Sequence, residues 1–177
     1  MKKTDFCSFL LVVVVTIGML SACGSSSDYP EPVKLDEIMQ VAEVEKLIGS
    51  KVDQPPMIRN KVTEDSGFWM THVNYYAPDV NLSVGIMVQP FGDPKFTAEE
   101  ASQQYKKNVI GNMADYKMDP VSGIGENAVW NPQIMQLTVF NNGCMIIVTG
   151  GSRDKSNEEN LAFAKELGSM VIAKLQK

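Results

Sequence analysis

His72 is the only histidine in the 177-residue chain, and its position allows one kind of metal chemistry. The alternating pattern around it predicts a strand that carries Met70 and His72 on one face, and Met87 of the next predicted strand lies on that face too. Thioether sulfur and imidazole nitrogen together suit Cu(I). Methionine also fills irregular packing gaps, and we favour that interpretation, so no metal site and no cofactor is predicted.

With His72 as the only histidine, we expect neither a Ser-His-Asp triad nor a histidine-rich metal site within one chain. Cys144 has no base at a defined offset, so we interpret it as a small buried residue rather than a nucleophile. The 21 Asp and Glu residues fall mostly on predicted helix surfaces, and their spacing assigns no acid–base pair. The sequence therefore predicts no catalytic residue.

Gly123 and Gly125 form a Gly-x-Gly run that invites comparison with phosphate-binding loops. A third glycine, a lysine and a following helix start are all missing from it. The alternative is a tight turn that leads into a strand at Asn127 to Trp130, and we favour the turn.

The N-terminal residues have the order of an export signal. Lys2 and Lys3 precede an apolar run from Phe9 to Leu20. As a helix this run would be roughly 18 Å long, whereas the hydrocarbon core of a bilayer is about 30 Å thick. We therefore predict a cleaved signal peptide rather than a membrane span.

Leu20-Ser21-Ala22-Cys23 resembles the lipobox of bacterial lipoproteins. The resemblance implies that the Cys23 thiol receives a diacylglyceryl group and that the chain is cleaved just before it. Cys7 would leave with the signal, so Cys144 would have no partner for an internal disulfide. Gly24 is not an aspartate-type retention signal, so the resemblance implies an extracytoplasmic protein anchored to the outer membrane where a cell has two.

The chain divides into a signal peptide (1–22), a lipidated cysteine with a flexible Ser- and Pro-rich tether (23–34), and one domain (35–177). The formal net charge is −5, and it becomes about −6 when Lys2, Lys3 and Asp5 leave with the signal. An acidic chain without a Lys/Arg cluster excludes nucleic acid as an expected partner. The expected partners are the membrane, through the anchor, and a protein or small-molecule ligand.

Apolar spacing and capping residues predict three helices. The first spans Leu35 to Gly49 with Asp36 as its N-cap, and the others begin at capping boxes, Thr97-x-x-Glu100 and Ser156-x-x-Glu159. A short strand is expected near Ile58 to Val62.

Two hairpins are predicted, one around Pro78-Asp79 and one around Asn142-Gly143. A two-residue loop in the first would pair Tyr75 with Leu82. In the second, the expected pairs are Val139 with Ile146 and Leu137 with Val148, with Cys144 on the core side.

Hairpins exclude an all-parallel sheet, so the predicted fold is α+β: an antiparallel sheet built from two hairpins with three helices, in an order that suggests a helix-plus-hairpin pseudo-repeat. Gly-x-Gly-x-x-Ala-x-Trp at 123–130, the hairpin and the last helix resemble small uncharacterised bacterial lipoproteins and extracellular sensor-type domains over residues 120–175. The resemblance supplies no catalytic residue.

The outer face of the first hairpin is the candidate binding face, because it carries no charged residue although its opposite face already supplies the core. Its residues are Phe68, Met70, His72, Asn74, Tyr76 and Met87. Either a helix of the domain covers this face, which we favour, or it is a recognition surface. The predicted function is a non-enzymatic envelope module that binds a protein or small ligand; the alternative is an envelope hydrolase with carboxylates assembled by the fold.

Overall fold

The structure is a computed structural model that describes residues 29–63, 66–112 and 117–176. The predicted signal peptide, Cys23 and most of the tether lie outside the described residues. Seven antiparallel strands form one sheet in the order β1-β2-β3-β7-β6-β5-β4. The strands are β1 (Met57–Val62), β2 (Trp69–Ala77), β3 (Leu82–Pro90), β4 (Asp119–Pro120), β5 (Asn127–Asn131), β6 (Gln136–Asn141) and β7 (Cys144–Thr149).

Four α-helices accompany the sheet in the described residues: α1 (Leu35–Ile38), α2 (Val41–Ile48), α3 (Ala98–Asn112) and α4 (Asn157–Leu175). The predicted α+β class is confirmed, with one helix more than expected. None of the described helices has both the length and the hydropathy that crossing a membrane requires.

The extra helix arises because the first predicted helix is broken at Met39, whose backbone is extended. Met39 and Leu35 are both buried, and the Tyr75 hydroxyl donates to the Met39 carbonyl at 3.3 Å. The Leu35 amide donates to the Thr71 hydroxyl at 3.3 Å. These contacts hold the short α1 against β2, so tertiary packing overrides the helical pattern. The predicted N-cap at Asp36 is therefore wrong.

The other helix boundaries follow the capping residues. Glu100 and Thr97 exchange the two hydrogen bonds of a capping box ahead of α3, and Glu159 and Ser156 do so ahead of α4. Gly49 ends α2 in the left-handed conformation at φ +75°. These three predictions are confirmed.

The first hairpin has a longer connection than predicted, because a 3₁₀ turn at Pro78–Val80 and a left-handed Asn81 make a four-residue loop. Tyr75 therefore pairs with Val84 rather than with Leu82. The predicted register is wrong by two residues. Side chains alternate with period two along a strand, so this shift leaves every residue on its predicted face.

The second hairpin has the predicted register, with Val139 opposite Ile146 and Leu137 opposite Val148. Asn142 and Gly143 have φ values of +47° and +72°, which a type I′ turn requires at both central positions. The hairpin is confirmed.

The sheet has a helix layer on each face. The inner face packs against α1, α2 and α4, and contains the main core with Trp69, Trp130 and Leu167 fully buried. α3 lies on the opposite, outer face, against β5 and β6. Each half of the chain forms a three-stranded meander, β1–β3 or β5–β7, but α3 and α4 follow them onto opposite faces. The repetition is thus limited to the strands.

Candidate functional site

In the part of the chain that the structure describes, α3 covers one half of the outer face. Ala98 and Ala101 of α3 pack against Val129 of β5 and Phe140 of β6, and all four side chains are buried. α3 lies over the far half of the sheet, so the favoured expectation that a helix covers the outer face of the first hairpin is wrong.

The near half of the outer face forms an open hollow of about 350 Å³, which we call the outer groove. It is lined by Arg59, Met70, His72, Gly85, Met87, Gln136, Ile147 and Thr149. Gly85 forms part of its floor, and a Cβ there would lie 2.5 Å from the Thr149 hydroxyl oxygen. The missing side chain at Gly85 thus keeps this part of the groove empty.

The structure brings three of the six predicted binding-face residues into the outer groove. Met70 and His72 come from β2, and Met87 lies directly opposite His72 on β3. All three are half-buried.

The other three predicted residues lie outside the outer groove in the described structure. Asn74 accepts a hydrogen bond from Ser83 at 2.8 Å, and the Tyr76 hydroxyl donates to Asn81 at 3.2 Å. Phe68 makes an edge contact with the ring of Tyr29, with ring centroids 5.9 Å apart. None of the three lines the outer groove.

His72 is the groove residue with a perturbed titration. Burial lowers the pKa of its imidazole, and the nearby positive charge of Arg59 lowers that pKa further. The ring is therefore neutral at neutral pH. No side-chain hydrogen bond to His72 is present among the described residues, so one ring nitrogen can donate to a ligand and the other can accept.

The Met70–His72–Met87 set was the basis of the copper alternative, and the structure does place the three side chains in one hollow. Both methionines are half-buried, and neither belongs to a hydrophobic cluster of the described residues. The Arg59 guanidinium lines the same groove, however, and its charge opposes a cation. The described residues also contain no group of three His, Cys, Asp or Glu side chains suited to a metal ion. We therefore assign no metal site.

A second hollow of about 220 Å³ lies between α3 and the sheet, and we call it the aromatic cavity. It is lined by Gln89, Phe91, Gly92, Phe96, Ala101, Gln104, Tyr105, Asn108, Phe140 and Met145. Tyr105 connects the two hollows, because its hydroxyl accepts a hydrogen bond at 2.6 Å from Gln136, which lines the outer groove. Thr138 donates to the same hydroxyl at 3.2 Å.

The sequence did not predict Arg59, Gln136, Ile147 or Thr149 as site residues. They enter the groove from β1, β6 and β7, and the strand order places β1 and β7 beside the first hairpin, with β6 next to β7. A local sequence pattern contains no signal for the strand order. The lack of charged residues on the outer face of the first hairpin did indicate the location of the site.

The Gly-x-Gly run forms the predicted turn. Gly123 and Gly125 have φ values of +77° and +60°, and the chain then enters β5. The turn interpretation is confirmed.

Carboxylates do not converge at either hollow. No Asp or Glu lines the outer groove or the aromatic cavity, and none is buried among the described residues. The described structure thus offers the hydrolase alternative no assembled acid pair.

The end of the predicted tether lies against the sheet. The Trp69 indole donates to the Pro30 carbonyl at 2.7 Å, and the Tyr29 hydroxyl donates to the Gly92 carbonyl at 3.2 Å. Gly92 also lines the aromatic cavity. The chain therefore enters the domain beside that cavity.

Comparisons with known proteins identify no relative: no family model matches the chain, and no match was found among curated proteins or among solved structures. The function is therefore argued from the geometry of the chain itself.

Cys144 lies on the inner face, buried as predicted, and burial raises the pKa of its thiol to about 11. We expect the native protein to react slowly with a thiol reagent at pH 8, because the thiolate is scarce and the sulfur is covered. Denaturation should restore the ordinary rate. Labelling time courses with and without denaturant measure both, and rapid labelling of the native protein would contradict the burial of the thiol.

Proposed function

We propose that the protein is a lipid-anchored cell-envelope module that binds a small, largely apolar ligand in the outer groove and does not act as an enzyme. The observation that carries the proposal is that the described helices cover the outer face incompletely. This leaves a hollow with Met70, Met87 and Ile147 half-exposed beside a polar rim.

The size and lining of the groove support a small ligand rather than a protein partner. Its volume of about 350 Å³ falls within the range typical of small-molecule sites. Such sites combine apolar walls with a few polar groups that fix orientation, and Gln136 and Thr149 provide those groups here.

The lipid anchor is supported by the position of Leu20-Ser21-Ala22-Cys23 directly after an apolar run too short to span a membrane. The acidic composition supports it indirectly, since electrostatic attraction to anionic lipid would not retain the domain at a membrane.

The groove can be tested with N-phenyl-1-naphthylamine, a neutral dye whose fluorescence rises in apolar sites. We expect wild-type protein to bind one dye molecule and Met70→Glu to lose at least tenfold in affinity, because a carboxylate would be placed among the methionines and Ile147. The thermal midpoint should remain nearly unchanged, since Met70 lies outside the hydrophobic clusters.

Val80→Glu is the matched control, because it introduces the same charge at a residue that is 51% exposed and does not line the groove. It should leave dye binding unchanged. Equal loss in both variants, or a large fall in the thermal midpoint of Met70→Glu, would overturn the assignment of the groove as the binding site.

A further inference from the structure

The outer groove and the aromatic cavity are consecutive along the same two strands. On the outer face of β3, Gly85 and Met87 line the groove and Gln89 lines the cavity. Phe91, which follows the last residue of β3, lines the cavity too. The paired strand β7 shows the same order of groove and cavity residues. Its Ile147 lines the groove, and Met145, the next residue on that face, lines the cavity. The two hollows therefore follow one another without an intervening row of residues.

Together they form an elongated site beside α3. From Gly85 to Phe91 the chain advances six residues, which corresponds to roughly 20 Å in an extended strand. A site of this length suits an unbranched chain better than a compact ring system.

The two ends of the site differ in chemistry. At the groove end the polar groups are Arg59, His72, Gln136 and Thr149. Among the described residues, Arg59 is the only charged one that lines either hollow. At the other end three phenylalanines, Phe91, Phe96 and Phe140, surround the cavity. A lone guanidinium in a chain of net charge −5 selects for an anionic group at the first end, and the aromatic rings select for hydrocarbon at the second.

We infer that the outer groove and the aromatic cavity together bind a single-chain fatty acid, with its carboxylate at Arg59 and its alkyl chain extending along β3 and β7 towards Phe96. The inference rests on the proposed function and names the ligand of that site. The Arg59 guanidinium pairs with the carboxylate of the fatty acid. The neutral His72 ring donates an N–H to that carboxylate, or accepts a hydrogen bond from the protonated carboxyl group. The flexible methionine side chains adapt their shape to the alkyl chain.

The entry point of the tether favours the membrane as the source of the fatty acid. Tyr29 contacts Gly92 at the aromatic cavity, so the predicted anchor at Cys23 would hold that end of the site towards the bilayer. Tyr29 lies six positions after Cys23, and an extended stretch of this length reaches about 20 Å. An alkyl chain could then enter the site from its apolar end.

The test compares three ligands that share one alkyl chain and differ in charge: dodecanoate, dodecanol and dodecyltrimethylammonium. The affinity of each ligand is measured by its displacement of the naphthylamine dye from the full-length protein, which is produced without lipidation. We expect dodecanoate to bind about fivefold more tightly than dodecanol and the cation to bind most weakly, since an exposed ion pair contributes modestly. Shortening dodecanoate to decanoate should weaken binding roughly fifteenfold, the effect of two buried CH₂ groups.

Arg59→Gln should remove the preference for dodecanoate over dodecanol. Lys61→Gln is the matched control: Lys61 lies two residues further along the same face of β1 and does not line the groove. Phe96→Ala should reduce the gain from decanoate to dodecanoate while dye binding in the outer groove persists.

Three results would overturn the inference. They are equal affinity for the three ligands, an equal effect of the two β1 variants, and a chain-length dependence that Phe96→Ala leaves intact. If the dye binds and Met70→Glu abolishes that binding, any of these results removes the fatty acid and leaves the proposed function standing. Absence of dye binding would remove both.

Discussion

Gly125→Ala is expected to lower the free energy of unfolding by about 3 kcal/mol. At φ +60° an L-residue is strained by roughly 1–2 kcal/mol. The new Cβ would also collide with the Val139 side chain and lie 3.1 Å from the Phe140 carbonyl oxygen, and overpacking of this kind costs about 1–3 kcal/mol. Urea denaturation followed by tryptophan fluorescence measures the loss.

Gly123→Ala is the control for this prediction, because Gly123 shares the left-handed conformation at φ +77° and lacks the collision. The nearest atom to its new Cβ is Lys165 Nζ, at 3.7 Å. Only the backbone strain remains, so we expect a loss of about 1 kcal/mol. Similar losses in the two variants would show that β6 does not pack against Gly125 as described.

Cys23→Ser is expected to abolish the partition of the protein into detergent and its retention in the membrane fraction. The substitution removes the thiol that the lipobox resemblance identifies as the acylation site. An acyl anchor contributes about 0.8 kcal/mol per buried CH₂, and the acidic domain offers no electrostatic substitute for it. The unfolding midpoint of the domain should not change.

Cys7→Ser provides the comparison, since it also removes a thiol near the N-terminus, but one that lies within the predicted signal peptide. It should leave the mass of the mature protein and its fractionation unaltered. Intact-mass spectrometry of protein extracted from membranes is the measurement. A mature product that begins elsewhere than Cys23, or an unmodified Cys23, would refute the anchor.

Local sequence signals predicted most elements of the fold. The Asn142-Gly143 pair fixed the second hairpin because both residues tolerate the left-handed conformation that the turn needs. The same reasoning failed at Pro78-Asp79, because Asn81 adopts that conformation two residues later and lengthens the loop. The assignment of side chains to the two faces of the sheet remained correct despite this error, since it depends only on the alternation along each strand.

The candidate site was less predictable, because it depends on contacts between distant segments. The pattern identified Met70, His72 and Met87 as an unusual uncharged face. Arg59 and Ile147 reach them only through the strand order, and α3 stops short of them only because it packs over β5 and β6. Neither fact has a local signature in the sequence.

The central pairing of β3 with β7 has a consequence for how the chain folds. Each meander joins neighbours along the sequence, whereas Gly85 and Thr149, paired across the centre of the sheet, are 64 residues apart. Closing so long a loop has an entropic cost that the nearby pairings avoid, so the two meanders should form before they join. The outer groove takes its floor from both of them, and it therefore comes into existence only at the last step of folding. A ligand in the outer groove would contact both meanders, and would therefore stabilise the pairing of β3 with β7 and slow its separation.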